Sequence, residues 1–204
     1  MADRPGLRER KKAATKAALS HATLRLALEK GGVDAVTAED IAAEAGVSTR
    51  TFHNYFSSKD AALLYDFNEI TARIIAAVRE RARHQPIWDA LRDACIDVRI
   101  DERFDFGALQ CKDQLIHSSP SLISHQAAQF LEFFNEALDV VAEATGRDEH
   151  DMYPRLVLGA AILAWRIAHE HWLAHPERAP LDEVIADAFE QYASGVISPT
   201  TTSE

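Results

Sequence analysis

The chain has 204 residues, a formal net charge of −10 and 47% hydrophobic residues, a composition typical of a folded protein of one or two domains. No run approaches the roughly 18 apolar residues that a membrane span requires, and the charged N-terminus lacks the apolar core of a secretory signal. The two cysteines, Cys95 and Cys111, are too few for a disulfide framework or a paired-cysteine zinc site. We therefore expect a cytoplasmic protein.

Charge is distributed unevenly along the chain. Residues 1–16 contain six basic and two acidic side chains, whereas residues 61–204 contain 12 basic and 24 acidic ones. A basic end on an acidic body can present a local positive face to phosphate groups while the body repels nucleic acid elsewhere. A basic N-terminal run can also be a solubilising tail, so charge alone leaves both interpretations open. Beside the helix-turn-helix pattern described below, we interpret the run as a basic arm that contacts DNA.

The spacing of apolar residues predicts an all-α fold. No valine- or isoleucine-rich alternating run indicates a strand, and no proline interrupts a convincing helical pattern. The sequence predicts helices over about residues 7–30, 38–45, 49–55, 59–83, 87–100, 106–117, 121–145, 153–174 and 181–196.

Two short helices joined by a tight turn follow the first helix. Thr37 is suited to cap the first of them, and Asp40 stands at the capping-box position. Gly46 can adopt the left-handed conformation that ends a helix, and Ser48 can cap the second helix over residues 49–55. A helix, a turn containing glycine and a second helix form the arrangement that lays a recognition helix in the DNA major groove.

This region resembles the N-terminal domain of the TetR/AcrR family of bacterial transcription regulators. The resemblance covers about residues 19–64, and its motif residues are Ala22, Leu26, Gly31, Thr37, Ile41, Ala42, Ala45, Gly46, Val47, Ser48, Thr51, Phe52, Tyr55, Phe56 and Lys59. The rest of the chain matches the family only in length and helical character. The resemblance implies about nine helices, with a three-helix DNA-binding head at residues 1–58. An effector-binding and dimerisation body would follow at 59–198, with a disordered tail at 199–204.

The exposed face of the predicted recognition helix carries side chains that can contact DNA. Arg50 can bind guanine bidentately, Asn54 can do so for adenine, and threonine can touch a thymine methyl group or a phosphate. Either Arg50 or Asn54 could instead be a solvated side chain, and Phe52 is predicted to pack inward. His53 stands where the family usually has tyrosine. The candidate DNA-binding residues are Thr37, Ser48, Thr49, Arg50, Thr51, His53, Asn54, Tyr55 and Lys59.

Lys59 opens the next helix, where a phosphate could meet both its ammonium group and the N–H groups of the helix N-terminus. We expect loss of Lys59 to weaken binding to all DNA sequences about equally and to reduce the salt dependence of binding.

The last two helices are predicted to form a dimer interface. An apolar stripe follows helical spacing in the last one, through Leu181, Val184, Ile185, Ala188, Phe189 and Tyr192. The preceding helix is apolar nearly all round, so it must be covered on both sides. The resemblance implies a four-helix bundle between two subunits and hence a palindromic operator. A monomer with a buried C-terminal hairpin is the alternative.

The effector site is less sharply defined by the sequence. Large side chains in the body suggest a cavity lined by Phe106, Cys111, Leu115, Phe130, Phe134 and Trp165, although each could belong to the core instead. An apolar or aromatic small molecule is the default effector, and a lipid-like one is an option.

Other chemistry has weak support in the sequence. His169, His171 and His175 have no obvious fourth ligand and do not form an HExxH motif, so we predict no metal site and no cofactor. No GxSxG, Walker or GxGxxG motif is present, and we predict no enzyme. The predicted function is a homodimeric regulator, most simply a repressor that a ligand releases from DNA. The alternative is an architectural or adaptor DNA-binding protein without an effector.

Overall fold

A computed structural model describes residues 6–97, 112 and 114–195. In these ranges all the regular elements are helical, which confirms the predicted all-α fold. The α-helices are α1 (Leu7–Glu29), α2 (Ala38–Glu44), α3 (Thr49–Tyr55), α4 (Lys59–Leu63), α5 (Tyr65–Arg81), α6 (Ile87–Asp97), α7 (Pro120–Thr145), α8 (Met152–Ala174) and α9 (Leu181–Ala193). A 3-10 turn occupies Val33–Ala35, and residues 112 and 114–118 are also helical. No helix in the described ranges is long and apolar enough to cross a membrane.

Backbone contacts divide the chain into two compact units. Unit 1 comprises residues 1–70 and 104–131, and unit 2 comprises residues 71–103 and 132–204. Unit 1 therefore combines the predicted DNA-binding head with a later segment of the chain. The predicted functional boundary between residues 58 and 59 stays a prediction.

The core of unit 1 lies where α1 to α4 meet. Its largest fully buried side chains include Leu19 of α1, Ile41 of α2 and Phe52 of α3. The later segment contributes Ile116 and Leu122 to the same apolar cluster. Burial of these side chains stabilises the head, by roughly 1.5–3 kcal/mol for each large aliphatic or aromatic side chain.

Local capping fixes the ends of the two short helices. The hydroxyl of Thr37 accepts a hydrogen bond from the backbone N–H of Asp40, whose carboxylate accepts one from the N–H of Thr37, both at 3.1 Å. Gly46 ends α2 with a φ of 68°. Residues with a Cβ adopt this backbone conformation only with strain. Ser48 caps α3. The predicted capping box, turn and second cap are thus confirmed.

The predicted long helix over residues 59–83 is wrong in one respect. The helix is broken at Leu64, which separates α4 from α5. The consecutive residues Leu63, Leu64 and Tyr65 are all at most 8% exposed, and three neighbours cannot all face one side of a straight helix, where each residue turns by about 100°. The break allows all three side chains to enter the core.

Most other predicted helix bounds agree with the structure to within one residue, and Pro120 stands at the first position of α7, where proline is favoured. Most of the predicted helix over 106–117 and the predicted tail lie outside the described residues.

Unit 2 is built around α6, α8 and α9. Ile185 and Phe189 of α9 are fully buried, and the ring of Phe189 lies 5.0 Å from that of Trp88 on α6. Tyr192 also packs on Trp88. Two residues of the predicted dimer stripe, Ile185 and Phe189, therefore belong to the core of their own unit, while the other four are partly buried.

Candidate nucleic-acid interface

A groove of about 820 Å³ lies between the first turns of α1 and the recognition helix α3. Both helices belong to unit 1. The groove is lined by Leu7, Arg8, Glu9, Lys11, Lys12, Thr15, Thr51, Asn54 and Tyr55. Three cationic side chains and one acidic side chain give it a positive balance, and its lining also includes hydroxyl and amide groups. This combination suits a phosphate backbone with a base edge beside it.

Helix α3 has a buried side and an exposed side. Phe52 is 1% exposed, and its ring packs on Phe56 at a centroid distance of 6.0 Å. Arg50, His53 and Asn54 are exposed on the other side. The predicted inward packing of Phe52 is confirmed, and its burial determines which face of α3 is exposed.

Two hydroxyl groups at the start of α3 engage each other. The Oγ of Ser48 accepts a hydrogen bond from the N–H of Thr51 at 3.1 Å and lies 2.8 Å from the Thr51 hydroxyl. The cap therefore also orients Thr51, which lines the groove. Thr49 is partly buried at the first position of α3, and Tyr55 packs partly on the head core.

Thr37 and Lys59 have defined partners within the head. The ammonium of Lys30 donates to the carboxylate of Asp40 at 2.6 Å, and this bond together with those from Thr37 lowers the pKa of Asp40 to about 2. The ammonium of Lys59 donates to the backbone carbonyls of Asp34 and Val36, each at 3.2 Å. Thr37 thus caps α2, and the charge of Lys59 lies against the loop between α1 and α2.

The basic residues of α1 were missed as site residues by the motif-based prediction. Arg8, Lys11 and Lys12 line the same groove as α3, and one turn further on the Lys16 ammonium lies 5.1 Å from the centre of the Tyr65 ring. The uneven charge of residues 1–16 indicated phosphate contact, but only the packing of α1 places those charges beside the recognition helix.

The predicted effector residues fall into three groups. Phe106 and Cys111 lie outside the described residues. Leu115 and Phe130 belong to unit 1, where Leu115 packs on the head core and Phe130 is 39% exposed. Phe134 and Trp165 are partly buried in unit 2. The ring of Trp165 lies 4.2 Å from that of His169, so this tryptophan has an internal packing partner.

Metal and thiol chemistry gain no support from the described part of the chain. No group of three or more metal-ligating side chains converges there; His171 and His175 pack edge to face. Cys95 is buried, and its burial raises the pKa of the thiol to about 12. A thiol with that pKa is a poor nucleophile at neutral pH.

Two family models match the sequence. Residues 19–65 match the model described as "Bacterial regulatory proteins, tetR family", and residues 85–197, more than half of the chain, match the model of the MftR C-terminal domain. The chain belongs to the TetR family. It is a transcriptional regulator with an N-terminal DNA-binding domain and a C-terminal ligand-binding domain.

Two TetR-family relatives span most of the chain. The mycofactocin biosynthesis transcriptional regulator MftR of Mycobacterium tuberculosis is 25% identical over 187 residues, which cover 92% of this chain and 93% of the relative. The HTH-type transcriptional regulator TcmR of Streptomyces glaucescens is 28% identical over 196 residues. The match covers 91% of this chain and 84% of the relative.

Two solved structures show the same fold. NalD, the secondary repressor of the MexAB-OprM efflux pump in Pseudomonas aeruginosa, has a TM-score of 0.60 at 21% identity and covers 91% of this chain and 97% of its own. Thermus thermophilus FadR, solved with lauroyl-CoA, has a TM-score of 0.57 at 19% identity. The match covers 93% of this chain and 98% of FadR.

Proposed function

We propose that this TetR-family protein is a homodimeric repressor that binds a palindromic operator and is released from it by a small ligand in its C-terminal domain. The observation that carries the proposal is the groove between α1 and α3. It brings Thr51 and Asn54, whose side chains are of types that can contact base edges, next to cations that suit phosphates. Arg50 and Asn54 would read base edges, while Lys11 and Lys12 would bind the flanking phosphates.

An exposed apolar stripe on α8 supports the dimer. Met152, Leu156, Leu163 and Ile167 are 75%, 62%, 45% and 47% exposed, and they lie on the side of α8 opposite its buried face. Large apolar side chains aligned along one helix usually mark an interface. The sequence prediction assigned the dimer to the last two helices, and the burial of Ile185 and Phe189 of α9 makes α8 the helix with the larger exposed apolar face.

Gly159 lies within the same stripe. A Cβ added there would meet nothing within 4 Å, although a glycine in the middle of a helix costs about 1 kcal/mol relative to alanine. A second α8 packed across this position would account for the glycine, because two helices can approach closely where a side chain is absent.

The effector proposal rests on the ligand-binding domain of the family and on the aromatic content of the body. A small apolar or aromatic molecule would bind there and favour a conformation with low operator affinity. By linkage, the ligand can weaken operator binding only by the ratio of its affinities for the two conformations. The ligand of FadR, lauroyl-CoA, shows that an acyl chain can bind to a protein of this fold.

Selection of bound sequences from a random DNA pool tests the proposal. Purified protein at a stated salt concentration should enrich a palindrome whose half-sites lie about one helical turn apart, ~34 Å, or slightly more. Enrichment without sequence preference would favour the architectural or adaptor function. If the selected palindrome is bound but no small molecule weakens the binding, the ligand-released mechanism is wrong while operator recognition stands.

A further inference from the structure

We propose that Thr51 is a specificity-determining residue of the recognition helix, which reads the 5-methyl group of a thymine with its own methyl group while its hydroxyl group is held by Ser48. The inference rests on the function proposed above, because it requires α3 to lie in the major groove. A threonine on such a helix can touch either a thymine methyl group or a phosphate, and the contacts of Thr51 favour the first.

The hydroxyl group of Thr51 is engaged at the start of its own helix. Its Oγ1 lies 2.8 Å from the Oγ of Ser48, which also accepts a hydrogen bond from the backbone N–H of Thr51 at 3.1 Å. Ser48 is exposed, whereas Thr51 is partly buried. Two paired hydroxyl groups leave one proton for a partner outside the pair. Because the exposed Ser48 can give that proton to water or to a phosphate, we assign the donor role within the pair to Thr51.

This hydrogen bond also determines what Thr51 presents to the groove. The hydroxyl and methyl groups of a threonine occupy different staggered positions on Cβ, so an Oγ1 held at the helix cap leaves the methyl group to line the groove beside α1. A hydroxyl group that already donates has no second proton for a phosphate oxygen, which can only accept. Thr51 therefore offers DNA an apolar contact.

The neighbours of Thr51 suit a contact at the edge of a base. Thr51 and Tyr55 are four residues apart, so they lie on the same side of α3, and both line the groove with the cations of Lys11 and Lys12. Thr51 is the third residue of α3, and the first residues of a recognition helix approach base edges. The thymine methyl group is displayed in the major groove. A methyl group beside phosphate-binding cations on this helix is therefore placed to pack against it.

Deoxyuridine substitution in the operator measures this contact. Deoxyuridine lacks only the 5-methyl group of thymidine and keeps the same base pairing. Each thymine of the selected palindrome is replaced in both half-sites, and the affinity is measured by fluorescence anisotropy. At one thymine we expect the substitution to weaken binding of the wild-type protein roughly 15-fold, since each buried methyl group contributes about fourfold.

Two near-isosteric variants separate the methyl group from the hydroxyl group. Thr51→Ser keeps the hydroxyl group and removes the methyl group, so it should bind the thymine and deoxyuridine duplexes with nearly equal affinity at that position. Thr51→Val keeps the methyl group and replaces the hydroxyl group by a second one, so it should discriminate as the wild type does. Both variants retain the backbone N–H that Ser48 accepts. Each comparison is a ratio for one protein preparation, so a difference in the folded fraction cancels.

The rotamer of Thr51 in the free protein provides a measurement that does not require DNA. With isotope-labelled threonine, the three-bond couplings from the methyl carbon of Thr51 to its backbone nitrogen and carbonyl carbon report χ1. We expect the values of a single rotamer in the wild type and averaged values in Ser48→Ala, which removes the partner hydroxyl group.

Equal sensitivity of the wild type and Thr51→Ser to deoxyuridine at every position would overturn the proposal. So would loss of the discrimination in Thr51→Val together with its retention in Thr51→Ser, because the hydroxyl group would then make the contact. Averaged couplings in the wild type would also contradict it. If no palindrome is enriched from the random pool, the proposed function fails, while the couplings of the free protein still test whether Ser48 holds the Thr51 hydroxyl group.

Discussion

The hydroxyl of Ser121 donates a hydrogen bond to the carboxylate of Asp60 across 61 positions of the chain. Asp60 lies on α4, directly after Lys59, and is 7% exposed. His125, one turn after Ser121 on α7, lies 3.8 Å from the same carboxylate. The start of α7 therefore supplies the polar partners of a buried carboxylate in the DNA-binding unit.

Removal of the Ser121 hydroxyl should destabilise unit 1. Ser121→Ala leaves the buried Asp60 carboxylate without its hydroxyl donor, and we expect the free energy of unfolding to fall by about 1–3 kcal/mol. Denaturant unfolding followed by circular dichroism measures the change. Ser124→Ala is the matched control, because the exposed Ser124 hydroxyl donates to the carbonyl of Pro120 in its own helix. If Ser121→Ala lowers the free energy of unfolding no more than Ser124→Ala does, the Ser121 hydroxyl does not stabilise the Asp60 carboxylate.

Asp40 should make the stability of the head depend on pH in the acid range. Its folded pKa of about 2 lies below the value near 4 of an unfolded aspartate. The stabilisation is therefore complete above about pH 4 and is lost as the pH falls towards 2. Unfolding in denaturant at several pH values should show a smaller loss between pH 5 and pH 2 for Asp40→Asn than for the wild type. Asp139→Asn, at an exposed position of α7, should lose stability like the wild type. If stability depends on pH in the same way in all three proteins, Asp40 does not cause the loss in acid.

A charge in the apolar stripe of α8 should abolish the dimer. Leu163→Glu would bury a carboxylate against the partner helix, and an unpaired buried charge costs several kcal/mol. Sedimentation velocity at micromolar concentration should then show a monomer that retains wild-type helicity. Ala76→Glu places the same charge at an exposed position of α5 and should leave the dimer intact. A dimeric Leu163→Glu variant would place the interface elsewhere.

The helix-turn-helix could be predicted from the sequence because its determinants are local. Thr37, Asp40, Gly46 and Ser48 each act on backbone groups within three or four residues, so the pattern of residue types specifies the geometry. The break at Leu64 lacks glycine or proline and follows from burial of three consecutive side chains, which is a tertiary effect.

The parts of the site that depend on distant contacts could not be predicted. The charge pattern showed that α1 begins with basic residues, but the groove that Lys11 and Lys12 share with Asn54 requires α1 to pack against α3. The contact of Lys59 with Asp34 and Val36 likewise joins residues more than 20 positions apart. No sequence periodicity encodes such pairings, and the residues of an effector cavity are of the same apolar types as those of a core.

The most direct test of operator recognition is the ratio of affinities for the selected palindrome and for a scrambled duplex, measured by fluorescence anisotropy at one salt concentration. Arg50→Ala should lower this ratio at least about fivefold, because a bidentate contact with guanine contributes about 1–3 kcal/mol of discrimination. Lys12→Ala should weaken binding to both duplexes about equally and leave the ratio unchanged. A wild-type ratio near one, or a ratio that Arg50→Ala does not alter, would contradict base reading by α3 as described.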